Sequence, residues 1–125
     1  MKIAIIVIRV LMGLLFLMSS VIYLFKLVPI PEQTGSVKIF NDGLNAVIYL
    51  MPLVKVIELI CAIAFISGRY VTLASVVIFP IVVNIFLFHA FISHEGLPAA
   101  IFVLLSTLFL AYTNRKNYTS LFIPK

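Results

Sequence analysis

The stretch PLVKVIELICAIAFISG, residues 52–68, decides how this chain must be read. It is apolar enough to lie in a bilayer, yet it carries Lys55 and Glu58 three positions apart. A charged side chain at the centre of a membrane helix costs about 3 kcal/mol on insertion scales, so it faces the protein interior and takes a partner. The rest of the chain has to supply that surrounding.

Composition agrees with a membrane setting. The 125 residues are 64% hydrophobic and 10% charged, and the mean hydropathy is +1.27. Soluble domains are about half apolar and about a quarter charged. A spanning helix takes roughly 20 mostly apolar residues, so four spans use nearly the whole chain and leave no room for a soluble catalytic domain. The expectation is an all-α, antiparallel four-helix transmembrane bundle. It forms one integral membrane domain over residues 1–125, with spans at about 3–28, 51–67, 70–92 and 97–112.

Two functional classes drop out early. The formal charge of +5 is scattered among span ends without a basic stripe, which argues against nucleic-acid binding. The single cysteine, Cys61, excludes an intrachain disulfide or a CxxC pair. Thiol chemistry of the vitamin K epoxide reductase type is therefore out, and Cys61 reads as a small core residue.

Working outward from 52–68, Pro52 suits a first helical turn, where its missing N–H is no loss. Gly68 suits the residue just past a helix end. The Ser67-Gly68-Arg69 turn is so short that spans two and three must be antiparallel neighbours. Pro80 is expected to kink span three and free the Val76 carbonyl. Span one opens like a signal peptide, but Arg9 interrupts it and the apolar run continues past Ser20, so an uncleaved span is expected. PIPEQTGS, residues 29–36, reads as a loop.

Beyond that loop, residues 36–48 read as a short amphipathic helix in the first outer loop. Val37, Phe40, Leu44, Val47 and Ile48 form its apolar side, and Lys38, Asn41, Asp42 and Asn45 its polar side. Gly43 weakens the pattern, and an extended loop is the alternative.

Four spans place both termini on one side, with Lys2, Arg69, Arg115, Lys116 and Lys125. The other side mixes Lys26 and Lys38 with Glu32, Asp42 and Glu95. The positive-inside rule then puts both termini in the cytoplasm.

Five polar residues at membrane depth form the candidate ligand-binding set: Glu58, Lys55, Asn84, Arg9 and His89. At 1.5 Å rise per residue, Arg9 lies roughly 10 Å from the terminal side, Glu58 about 13 Å, Lys55 about 18 Å, Asn84 about 20 Å and His89 roughly 28 Å. Positions 51, 55, 58, 62 and 65 share one helix face. His89 lies about 140° around the helix from Asn84.

One reading is a polar pocket among spans one to three. Glu58 handles a proton or ligand there, Lys55 or Arg9 holds its charge, Asn84 orients, and His89 relays near the surface. The other is an internal salt bridge, Glu58 with Lys55 or Arg9, that sets helix register and nothing more. His89 and His94 are too few for a metal site. A small proton-coupled transporter is a further alternative. In small multidrug-resistance proteins, however, the acid sits in span one; here it is in span two, and tryptophan is absent.

Pro52, Glu58, Gly68-Arg69, Pro80, Asn84 and His89, with Arg9 and Gly13 in span one, together resemble the DoxX family of small four-span membrane proteins. That resemblance implies a multi-pass protein of the bacterial inner (cytoplasmic) membrane. It also implies, for some members, a role as an accessory subunit of quinone-linked or other oxidoreductase complexes. More distant relatives are assembly partners of other membrane proteins, so a structural or chaperone-like role without a catalytic site is the alternative. The chain has no covalent cofactor motif of its own, and a redox role would need a bound quinone or a soluble or membrane oxidoreductase partner.

Overall fold

The computed structural model describes residues 2–27 and 33–124. The sequence run Lys2–Leu24 forms α1, Gly35–Ala46 forms α2, Leu50–Ser67 forms α3, Val71–Phe91 forms α4 and Leu97–Thr113 forms α5. A single 3-10 turn covers His94–Gly96 and a longer 3-10 segment Arg115–Phe122. Helices α1, α3 and α4 are each long and apolar enough to cross a membrane, as is α5 together with the 3-10 turn before it. The molecule is an all-helical bundle of four spans with α2 as an added short helix.

Sequence dictates most of the helix ends. α1 stops at Leu24, earlier than the expected end near Val28; Val28 and the first half of the 29–36 loop, Glu32 included, lie outside the described residues. Its end is closed by a left-handed residue, Lys26 at φ 52. Leu27 N–H donates to Ile22 O at 3.1 Å and Lys26 N–H to Tyr23 O at 3.4 Å. That is the hydrogen-bond pattern of a Schellman motif, which captures the last free carbonyls of a helix.

Pro52 sits in the first turn of α3, as its chemistry requires. Gly68 ends α3 at φ 78, a conformation glycine adopts without a Cβ penalty. α4 continues through Pro80 as one helix from Val71 to Phe91.

The four spans form a ring: α1 packs on α3, α3 on α4, α4 on α5, and α5 closes on α1. Each gives one narrow stripe to the centre. Met12 and Phe16 come from α1, Ala62 and Phe65 from α3, Ile78 and Val82 from α4, Val103 and Leu110 from α5. At Gly13 an added Cβ would lie 2.7 Å from Ile66 Cγ1 and 3.1 Å from Ala62 O, so the missing side chain lets α1 and α3 approach closely.

The outward faces remain apolar, with Ile3, Ile60, Leu73 and Leu105 exposed. In a bilayer these face lipid, and backbone groups have to be satisfied internally. Three buried hydroxyls meet the same demand. Ser20 donates to Phe16 O at 2.7 Å, Ser75 to Val71 O at 2.8 Å and Thr107 to Val103 O at 2.8 Å, each back along its own helix.

α2 carries its polar face outward and docks by Phe40, whose ring lies 4.6 Å from that of Phe88 on α4. Val37, Phe40, Asn41 and Leu44 are the half-buried positions, spaced as one helical face. Two details depart from the expected pattern. Val47 and Ile48 fall beyond the helix and are exposed. Asn41 turns inward, because its amide donates to Gln33 Oε1 at 2.7 Å and so satisfies itself there.

Candidate functional site

Burial of the 55/58 face follows from helix geometry. Glu58, Ala62 and Phe65 are buried and Met51 and Lys55 half-buried, so the stripe that carries the charges is the one aimed at the other helices. Glu58 is 2% exposed. Lys55 Nζ stands 3.1 Å from Glu58 Oε2, one turn earlier on the same helix. The approach makes an ion pair at charge-assisted hydrogen-bond distance. Across the α1–α3 seam, Lys55 Nζ donates to Ser19 Oγ at 2.8 Å, and it lies 5.7 Å from the centre of the Tyr23 ring. A cation near an aromatic face gains further from the ring quadrupole.

These groups stand at the wall of a cavity of about 690 Å³. Leu15, Phe16 and Val103 give it an apolar body, and Phe40 and Leu44 of α2 lie over it. Lys55, Glu58, Ser19, Asn41, Asn84 and His89 are its polar points. Asn84 and Pro80 line the cavity while remaining exposed, which puts them at its rim on α4. His89 Nδ1 donates to Ser93 O at 3.0 Å, and its ring edges against Phe88 at 5.1 Å. An Nδ1–H donor leaves Nε2 as an acceptor in the neutral ring. Gly96 holds that ring from the other side, since a Cβ there would lie 2.4 Å from His89 Cε1.

Four of the five candidate residues thus share one cavity, and Arg9 does not. Its guanidinium packs on Gly68 at the opposite end of α3, where a Cβ on Gly68 would meet Nη1 at 2.6 Å. Of the two partners the sequence allowed for Glu58, Lys55 holds it. Gly68 lies ten residues past Glu58, roughly 15 Å along the helix axis, and the Arg9 guanidinium stays at the Gly68 end. Asn84 and His89, though well apart around α4, both reach the cavity because it is wide enough to span that arc. Among the described residues no three His, Cys, Asp or Glu side chains converge as a metal site.

Sequence reasoning missed Ser19, Tyr23, Asn41 and Gly96. Ser19 had a signal of its own, a polar serine pair inside an apolar run. The other three act through contacts that no local spacing announces.

A family model for DoxX matches residues 4–90. The chain belongs to the DoxX family. No match was found among curated proteins, and none among solved structures. The DoxX match takes in α1 but for its first two residues, α2, α3 and all but the last residue of α4. It therefore contains every polar residue of the cavity, while the DoxX model leaves out α5, which contributes only apolar wall such as Ala100 and Val103.

Proposed function

We propose that the cavity around Glu58 binds a lipid-soluble molecule with a polar head, of the quinone class. On this reading the protein is an accessory, quinone-interacting subunit of a membrane redox complex. One observation carries it: the Glu58 carboxylate is 2% exposed at the wall of the cavity, and Lys55 is the one charged partner within reach of it among the described residues. An ionisable residue at membrane depth is costly and marks a functional site by default.

The residues present fit such a ligand. Ligand pockets are mostly apolar with a few converging polar groups, and this one is. Lys55 has three N–H donors and spends one on Ser19. Lys55 and the Asn84 amide can donate to a carbonyl oxygen, and Glu58 can accept from a hydroxyl or take its proton. Asn84 at the rim meets a ligand as it enters. A quinone, when bound, supplies two-electron, two-proton redox chemistry; the chain's own part is to orient it, exclude water and hold a proton at Glu58. The basic residues at the terminal end support a cytoplasmic membrane with both termini on the cytoplasmic side. Family membership supports a bacterial one.

The test is purification from native membrane, mass spectrometry of lipid-soluble molecules that come with it, and thermal unfolding with added ubiquinone and menaquinone analogues. Bound quinone and an upward shift that Glu58→Gln abolishes are expected. Absence of both would overturn the reading.

A second reading is a structural partner with no ligand. The Lys55–Glu58 pair within one helix, braced by Ser19 from another, favours it. It requires that replacing Lys55 by Met and Glu58 by Leu together leaves the cellular phenotype intact.

A further inference from the structure

At the end of the bundle opposite the Glu58 cavity lies a second, smaller cavity of about 330 Å³. Its lining is polar: Arg9, Thr72, Asn114 and Asn117 share it with the turn at Gly68 and the first residues of α4. Arg9 dominates its charge. Among the described residues no carboxylate pairs with Arg9; the two ion pairs are Lys38–Asp42 and Lys55–Glu58. Its Nε is buried without a hydrogen-bond partner. A guanidinium offers five N–H donors in a fork that matches the oxygens of a phosphate. Arg9 is half-buried; a cation withdrawn from water is expected to be paired, so an unpaired guanidinium facing a cavity points to an anion there.

The surroundings are built for the same charge. Asn117 Nδ2 donates to Thr72 Oγ1 at 2.8 Å and Tyr118 Oη donates to Thr72 O at 3.0 Å, which ties the tail across the first turn of α4. Thr72 thereby accepts through its oxygen and keeps its hydroxyl proton to donate. α4 begins at Val71 with no side-chain cap, so its first amides are also uncommitted to a side chain. Among the described residues the acidic side chains Asp42, Glu58 and Glu95 belong to α2, α3 and the 94–96 turn, whereas Lys2, Arg69, Arg115 and Lys116 belong to this end. Basic pockets between spans on the cytoplasmic side commonly take lipid head groups.

We propose that the Arg9 cavity binds a phosphate group, from an anionic phospholipid head group or from free phosphate at the membrane surface. The Arg9 guanidinium clamps it and Thr72 donates a further hydrogen bond. This site is separate from the Glu58 cavity and does not rest on the quinone reading.

The experiment uses the full-length protein in a non-ionic detergent. Thermal unfolding is followed with added phosphatidylglycerol, with phosphatidylcholine, and with inorganic phosphate against equal sodium chloride. Arg9→Met, Arg9→Lys, Thr72→Val and Arg115→Gln are compared with the parent. Phosphatidylglycerol or phosphate should raise the midpoint more than phosphatidylcholine or chloride does. A shift with the lipid only assigns the head group, and a shift with both assigns free phosphate as sufficient. Arg9→Met should weaken apparent affinity by about tenfold or more, as loss of a charged hydrogen-bond donor predicts. Arg9→Lys should restore part of it and Arg115→Gln should leave it near the parent value. If Arg9→Met does not fold, Thr72→Val decides, with a smaller loss expected. No preference for either phosphate source in the parent, or equal losses in Arg9→Met and Arg115→Gln, would overturn the proposal.

Discussion

Lys55 Nζ lies 3.1 Å from Glu58 Oε2, and the two residues are one turn apart on the same helix. The pair therefore forms with α3 itself, while the direction of the ammonium is set from α1 by Ser19. Breaking a buried ion pair costs about 3–5 kcal/mol because one charge is left unpaired, whereas replacing both partners by apolar residues is often neutral. Lys55→Met should accordingly destabilise by about that amount, and Lys55→Met with Glu58→Leu should recover most of it. Denaturant unfolding of the detergent-solubilised protein reads both. A double variant as weak as the single one would show that the pair holds the bundle together.

The α1–α3 seam depends on Gly13. A Cβ there would press on Ile66 Cγ1 and on the backbone carbonyl of Ala62. Gly13→Val should cost about 1–3 kcal/mol, the usual range for overpacking. Gly13→Val combined with Ile66→Ala should cost less than the sum of the two, since the closest clash is then removed. A double-mutant cycle on the thermal midpoint measures this directly.

Gly96 and His89 are coupled in the same manner. A methyl group at 96 would enter the space of the imidazole, which lies 2.4 Å from the ideal Cβ position. Gly96→Ala should displace the ring and break the Nδ1–Ser93 hydrogen bond, at a cost of about 1 kcal/mol. In a His89→Ala background the same change should be close to neutral. Nitrogen chemical shifts of His89 would report the displaced ring, and unchanged shifts would refute it.

Phe40 is the main apolar anchor of α2, which has no fully buried residue. Phe40→Ala removes an aromatic pair worth about 1 kcal/mol beyond its buried area. The expected result is faster proteolytic cleavage within 35–46 and little change in the unfolding midpoint of the four spans. Unchanged cleavage would mean that α2 is held by the backbone at its ends instead.

Much of this was legible in the order of residues. Runs of apolar residues of spanning length, the turn at 67–69 and the proline at 52 state a four-span bundle, because in lipid a backbone can satisfy itself only as helix and each run has one length to fill. The 55/58 face followed from the 3.6-residue repeat. So did the amphipathic stripe of α2, apart from its end at Ala46 and the inward turn of Asn41.

What periodicity cannot carry is the choice among partners at similar depth. Arg9 and Lys55 were equivalent candidates for Glu58 in the sequence, since both are long cations within reach of the same level. Helix packing separated them: close approach at Gly13 fixes the rotation and height of α1 against α3, which puts Ser19 beside Lys55 and lays Arg9 on Gly68. The charged stretch 52–68 by itself determined that this protein spans a membrane and turns Glu58 inward, because burying charge in lipid is too costly otherwise. Only the tertiary structure decided that its polar residues form two cavities at opposite ends, because that depends on which small residues let the helices touch.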